Sequence, residues 1–395
     1  MRLNEQDNIL NSINLAKTRY HEYIFKCLLP TKEFSLTIND KFPSPYALCF
    51  AIFGLQLLND KLELKRNKSD WSFLLRKNID DFKSKRLLLS INLNTDKPYL
   101  QLLTFTLSSL YILDSLDKDP LRDHVLPLID QDISTILKSK GVFNGNPQSG
   151  NFAMFYAILL EHAKLFLGLD TSIKIQDWIK NHLNHINKQG FWGNFSNMTY
   201  LQFQNGYHQY EMFEYFNVEN KFLDIAAQNV ALLSDVKGHF APYHGGGGCF
   251  DYDAIFIISG SSNKTINQHY ELFTKTLKNI LISQGEDGGF SESKYIRPRS
   301  LYNIFLAFKQ IVLSDNNSSR IESIRYNATL LRSKHNKINT HWSNEPRKWS
   351  ESNLWDSWFR MLTIARIDLS FKLTAPDDWG FIKYPGIGYH SSLNK

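Results

Sequence analysis

The run from Gly238 to Asp253 gathers more chemically able side chains than any other stretch of the chain: His239, Tyr243, His244, four consecutive glycines, Cys249, Asp251 and Asp253. Four glycines in a row cost conformational entropy unless the backbone must bend sharply or come close to a ligand. Asp251 and Asp253 then open an apolar helix. An aspartate there can simply cap the helix or answer its dipole. Two carboxylates this close in apolar surroundings can also push one pKa upward and keep a proton on it for general-acid work.

A second cluster, Gln204, Asn205, Tyr207 and His208, enters another apolar helix. Amides suit hydroxyl groups, aromatic faces suit sugar rings, and His or Tyr can act as a base. Glu211 follows in the same segment, so acid–base chemistry on a glycan would need no further residue types. His208 can equally be a satisfied core histidine. The third cluster spans Trp349 to Arg360. Its tryptophans, Trp355 among them, read as an aromatic wall, with Arg360, Arg297 and Arg299 available to a carboxylate or phosphate. Tyr302 and His244 complete the expected substrate contacts. Asp356 and Arg360 stand four apart, where a helical salt bridge is expected.

These clusters sit on a repeat. Apolar helical segments recur at Tyr46–Leu58, Tyr99–Leu113, Asn151–Leu165, Tyr200–Tyr215, Tyr252–Gly260, Leu301–Ile311 and Leu354–Ile367, with starts about fifty residues apart. Amphipathic stretches alternate with them, at Leu126–Ser139, Ile173–Ile186, Lys221–Ser234, Thr265–Ser283 and Arg320–Ser333. The turns repeat as well. Gly141, Gly190, Gly238 and Gly288 each end an amphipathic stretch and each is followed by an aromatic that can pack back. The pattern predicts a single all-α domain over 1–395, an α/α toroid of six or seven hairpins. Residues 1–40 form an N-terminal helix and lead-in, 41–370 the repeats and 371–395 a capping tail. The apolar helices line the inside, and their N-terminal ends carry the candidate residues.

Composition excludes several functions. The 45 basic and 39 acidic residues are spread along the chain without the basic stripe of a nucleic-acid footprint. Three distant cysteines, Cys27, Cys49 and Cys249, offer neither a disulfide framework nor a metal knuckle. No signal peptide and no spanning segment is evident. The expectation is a cytoplasmic protein, free or peripheral to a membrane.

Asp251-Tyr-Asp253-Ala-Ile resembles the DxDD-T-A motif of class II terpene cyclases such as squalene-hopene cyclases. Gln284-Gly-Glu-Asp287-Gly-Gly-Phe290 is similar to their repeated Q-x-x-DGGF/W turn. Protein prenyltransferase β subunits share the toroid and the glycine-aromatic turns. The resemblance implies that Asp253 protonates an alkene or epoxide, with Asp251 as its neighbour and aromatic side chains stabilising carbocations. The motif's last Asp is Ala254 here and its Thr is Ile255. The prenyltransferase zinc site is matched only in reverse, as Cys249-Phe-Asp251 with His208 or His244, so no metal is expected, nor any cofactor. Three readings stand: a cyclase acting on an isoprenoid, a carbohydrate-active toroid (lyase, hydrolase or epimerase), and a non-catalytic ligand- or partner-binding toroid.

Overall fold

Fifteen α-helices dominate the described residues of the computed structural model, which are 3–194, 198–262, 268–293, 301–313, 317–332 and 337–391. A short antiparallel ribbon joins β1 (Lys337–Ile338) to β2 (Arg347–Lys348). The fold class is all-α.

Six helices are almost wholly buried, the first three and α11 being predominantly apolar all round: α2 (Pro45–Leu57), α4 (Lys97–Ile112), α7 (Ser149–Phe166), α9 (Tyr200–Tyr215), α11 (Gly248–Ser259) and α15 (Leu354–Phe371). A helix without a polar face must be surrounded by protein. Each packs on the next in this order, and α15 packs back on α2. Their N-terminal ends lie together. The Tyr46 hydroxyl donates to Pro98 O (2.7 Å), Lys97 Nζ to Gln148 Oε1 (3.3 Å), Gly150 N to Asn205 Oδ1 (2.6 Å) and Gln204 Nε2 to Cys249 Sγ (3.4 Å). The positive ends of six helix dipoles therefore converge.

The remaining helices pack around this set with one buried stripe each. In α3 (Lys61–Leu88), which touches α2 and α4, the stripe is Leu64, Trp71, Leu75 and Ile79. That helix goes unpredicted because Lys, Arg and Asp dilute its apolar period. Further round come α5 (Arg122–Ile129), α6 (Ile133–Ser139) and α8 (Ser172–Asn184) against α7, and α10 (Leu223–Ala231) against α11. Then α12 (Tyr270–Ser283) and α1 (Leu3–Lys26) cover α15. The single helix expected over Leu126–Ser139 is two. Asp132 starts α6 by accepting from Thr135 N (3.1 Å), and Pro127 lies within α5.

Three of the glycine turns share one hydrogen-bond pattern. Asn187 N, Asp235 N and Gly285 N donate to Phe191 O, His239 O and Gly289 O, each at 2.7 Å, and Gly190, Gly238 and Gly288 close the turns at positive φ. The aromatics Phe191, Phe240 and Phe290 that follow are buried. The repeat is thus written in backbone geometry as well as in sequence.

The tail crosses the C-terminal ends of the apolar helices. Gly380 N donates to Leu57 O (2.9 Å), the Tyr384 hydroxyl bonds His162 Nδ1 (2.9 Å), and Arg366 Nη2 donates to Tyr389 O (2.9 Å). One end of the bundle is plugged, so the candidate residues are at the other.

One apolar segment departs from the expectation. Leu301–Leu313 forms α13, which is not among the six buried helices. It pairs with α14 (Asn317–Arg332) and exposes Leu301, Phe305, Phe308 and Val312. Hydrophobic content alone does not say which partner a helix meets. Six buried helices, with α13 outside them, replace the seven apolar elements read from sequence.

Candidate functional site

The glycine run is explained by what crowds it. Gly245 and Gly246 adopt φ of +91° and +70°, where L side chains are strained. A Cβ on Gly246 would strike the Asp251 carboxylate and come 2.8 Å from His239 Nδ1. One on Gly247 would lie 2.6 Å from Glu292 Oε1, and one on Gly248 2.8 Å from Asp356 Oδ1. Three carboxylates thus approach the backbone that leads into α11.

Asp251 is the best-satisfied of them. Its Oδ1 accepts from Phe240 N (2.7 Å), and its Oδ2 takes both His239 Nδ1 (2.9 Å) and the Arg360 guanidinium. Arg360 Nη2 also donates to Glu292 O (3.1 Å). All of these groups are buried, and together they tie the 238–246 loop to α11 and α15. The expected Asp356–Arg360 bridge is not formed. Arg360 is drawn to Asp251, while Asp356 accepts from Asn353 Nδ2 and from Arg347 Nη2 (3.4 Å).

Asp253 lies on another face, because two helical residues differ by about 200° in direction. It shares a stripe with Cys249 and Phe256, opposite the α9 stripe Gln204, His208 and Glu211. Burial deepens along both. Lys97, Gln204 and Cys249 are half-buried, His208 is 8% exposed, Asp253 2% and Glu211 0%. Asp253 Oδ1 has no hydrogen-bond partner among the described residues, while the Tyr207 hydroxyl donates to Glu211 Oε1 (2.8 Å).

The charges follow from this arrangement. Burial holds the Asp253 carboxyl well above the usual carboxylate range, and Glu211 and then Asp251 push it further up. Burial lifts Glu211 to about 8 against the opposing pull of the Tyr207 hydroxyl and Arg366. Glu211 therefore carries a proton near neutral pH, and burial moves Asp253 in the same direction. Burial takes His208 down to about 3, with Lys97 adding to the effect, and burial takes Lys97 itself down to about 8. Burial also raises the Cys249 thiol, so it stays protonated. The two stripes thus run from half-buried hydrogen-bonding side chains, past a neutral imidazole, to two buried carboxyls.

A separate aromatic cluster is built by α2, α4 and α15. Phe50 lies 5.0 Å from Trp355 and 5.9 Å from Phe105, Phe53 lies 4.8 Å from Trp358, and Trp355 lies 4.5 Å from Phe359, all as ring-centroid distances. Trp342, from the segment between β1 and β2, covers Trp355 at 4.6 Å. His341 Nε2 meets Gln101 Oε1 at 2.7 Å.

The structure therefore brings together Asp253, Tyr207, His208 and Gln204, and places Trp355 in the separate aromatic cluster. It sets the other predicted residues apart. Asp251 and Arg360 neutralise one another. Asn205 caps α7 through Gly150 N, and the buried His244 has Nδ1 3.4 Å from Asp235 Oδ2. Tyr302 is exposed on α13, and Arg297 and Arg299 lie outside the described residues. Cys249, Asp251 and His208 do not converge. Among the described residues no group of three His, Cys, Asp or Glu is placed to hold a metal, and no helix is long and apolar enough to cross a membrane.

Glu211 is the charge that acts most on Asp253, a part that the sequence reading gives to Asp251. Its position seven after Gln204 and three after His208 on one helix carries that signal. Lys97 heads one of the apolar helices, at the end where the candidate residues are expected, whereas His341, from a distant segment, leaves no signal. No known family model matches the chain, and neither does any curated protein.

Proposed function

We propose that the protein is a class II terpene-cyclase-like enzyme built as an α/α toroid of six hairpins, in which Asp253 protonates an isoprenoid. The toroid reading is supported by the order in which the six buried helices pack and by the return of α15 to α2. The observation that carries the function is a buried carboxyl, that of Asp253, whose Oδ1 has no hydrogen-bond partner among the described residues and whose hold on a proton is raised by burial.

In this reading the Asp253 O–H bond breaks as its proton moves to an alkene carbon or epoxide oxygen. The resulting cation is stabilised by the ring faces of Phe50, Phe105 and Trp355 while the chain closes. Loss of a proton from the cyclic cation returns the catalyst to its starting state, so product and substrate are isomers. Burial keeps the proton on Asp253, and Glu211 adds to this wherever it is itself ionised. Asp251 acts at a distance, as a positioning residue for the loop.

The test is incubation of the purified protein and Asp253→Asn with linear isoprenoids and isoprenoid diphosphates, read by mass spectrometry for isomeric products. Cyclic product is expected from the wild type, reduced about 10²–10⁴-fold in the variant. Absence of conversion across the panel removes the proposal. A carbohydrate-active reading is favoured by the polar entrance of Lys97, Gln148, Gln204 and His208. It predicts cleavage or epimerisation of a glycan that Tyr207→Phe and His208→Ala abolish.

A further inference from the structure

We infer that the α13–α14 hairpin is a docking surface for an anionic lipid bilayer. Leu301, Phe305, Phe308 and Val312 follow spacings of four, three and four, so they form one helical stripe. That stripe faces outward, with exposures of 87%, 59%, 63% and 53%. Ile321 and Ile324 of α14 extend it, each about half exposed. A soluble fold normally turns such a stripe inward, and here it does the opposite. Exposed apolar patches of this kind mark interaction sites.

Charge identifies the partner. Residues 294–337 hold nine Lys and Arg against two Asp and Glu, out of 45 and 39 in the chain, so every other residue together contributes 36 against 37. The whole net positive charge of the protein therefore belongs to the segment with the outward apolar stripe. Of its two acids, Glu322 is turned onto the chain itself, accepting from Tyr200 N (2.7 Å) and Leu201 N (3.0 Å) at the start of α9. Lys309 and Arg325 are exposed beside the stripe. Apolar side chains flanked by basic ones are what an interfacial helix presents to anionic headgroups. At thirteen residues α13 is too short to span a bilayer and would lie on it.

The position suits delivery of an apolar molecule. Glu322 fastens the hairpin to the N-terminal end of α9, and Asn327 Nδ2 donates to Pro242 O (3.2 Å) in the glycine-rich loop. The lipid-facing stripe thus stands beside the end at which Gln204 and Cys249 are half-buried. The inference does not depend on the reaction proposed above.

Flotation of the full chain with phosphatidylcholine vesicles, with and without phosphatidylglycerol, tests it without any substrate. The wild type is expected to float with the anionic vesicles and to be released by high salt. The double variant Phe305→Glu/Phe308→Glu should lose at least about tenfold in binding, while Lys309→Glu/Arg325→Glu should lose the preference for phosphatidylglycerol. Unchanged circular dichroism in both variants excludes unfolding as the cause. Failure of the wild type to float with either vesicle overturns the inference. So does a wild-type dimer that Phe305→Glu/Phe308→Glu converts to monomer, because a second copy would then cover the stripe.

Discussion

Asp251 and Asp253 are two residues apart on one buried helix, yet their surroundings are opposite. Asp251 meets a backbone N–H, a histidine and a guanidinium. Asp253 meets no donor at Oδ1 among the described residues and finds the acidic groups of Glu211 and Asp251 as neighbours. A buried carboxylate surrounded by donors remains an anion and holds structure together. One without donors takes up a proton, and that proton is available to a substrate. Two aspartates at i, i+2 on a helix are therefore not a pair.

The contrast can be broken first on the satisfied side. Asp251→Asn leaves Arg360 buried without its counter-charge, and such a loss costs about 3–5 kcal/mol. Urea unfolding monitored by circular dichroism is expected to show a stability loss of that size. A loss below about 1 kcal/mol would mean that the ion pair is not what anchors the loop. Gly246→Ala attacks the same knot from the backbone. It adds a Cβ against the Asp251 carboxylate at a positive φ, for a cost of at least about 2 kcal/mol. Gly168→Ala is the control. Its φ is also positive, at +67°, but nothing lies within 4 Å of the added Cβ, so only about 1 kcal/mol is expected.

Much of this was legible in the sequence, and the remainder failed for identifiable reasons. The six buried helices and the glycine turns follow from a period that both kinds of element share, so each reinforces the other. Asp253 was legible through its place at the head of an apolar helix. Asp251 does push the Asp253 pKa upward, but Glu211 does so ahead of it, since chain proximity says nothing about helical direction. Arg360 goes to Asp251 rather than to Asp356, which is served by its own helix's N-cap Asn353 and by Arg347 from β2. The outward turn of α13 was hidden for a related reason. Apolar content in Leu301–Leu313 falls within the range of the buried helices, and its more one-sided apolar stripe and the basic excess around it distinguish it.

The protonated side of the comparison gives a pH signature. Glu211 titrates at about 8 in the fold against 4.5 ordinarily, so between these values the folded state binds more protons than the unfolded one. Stability on this account is fully present below pH 4.5 and falls as pH rises towards 8, by about 2 kcal/mol or more. Asp253, raised in the same direction, adds to the fall. Glu211→Gln removes the first share. Denaturation at several pH values should show a flatter decline in the variant, and an equal slope would show that Glu211 is ionised in the native protein.

Asp253→Asn should have the smallest effect on stability, and for that reason it separates the two aspartates most sharply. If Asp253 is neutral in the fold, an amide of the same shape replaces it without removing any charge that the protein uses. Its Oδ1 accepts no hydrogen bond, so none is lost there. The repulsion that Glu211 and Asp253 exert on each other's ionised forms disappears too. The expected change is within about 1 kcal/mol of zero near neutral pH, against several for the same substitution at Asp251. A large destabilisation by Asp253→Asn would mean that its carboxylate is charged and paired in the folded protein, and a charged, paired carboxylate has no proton to give.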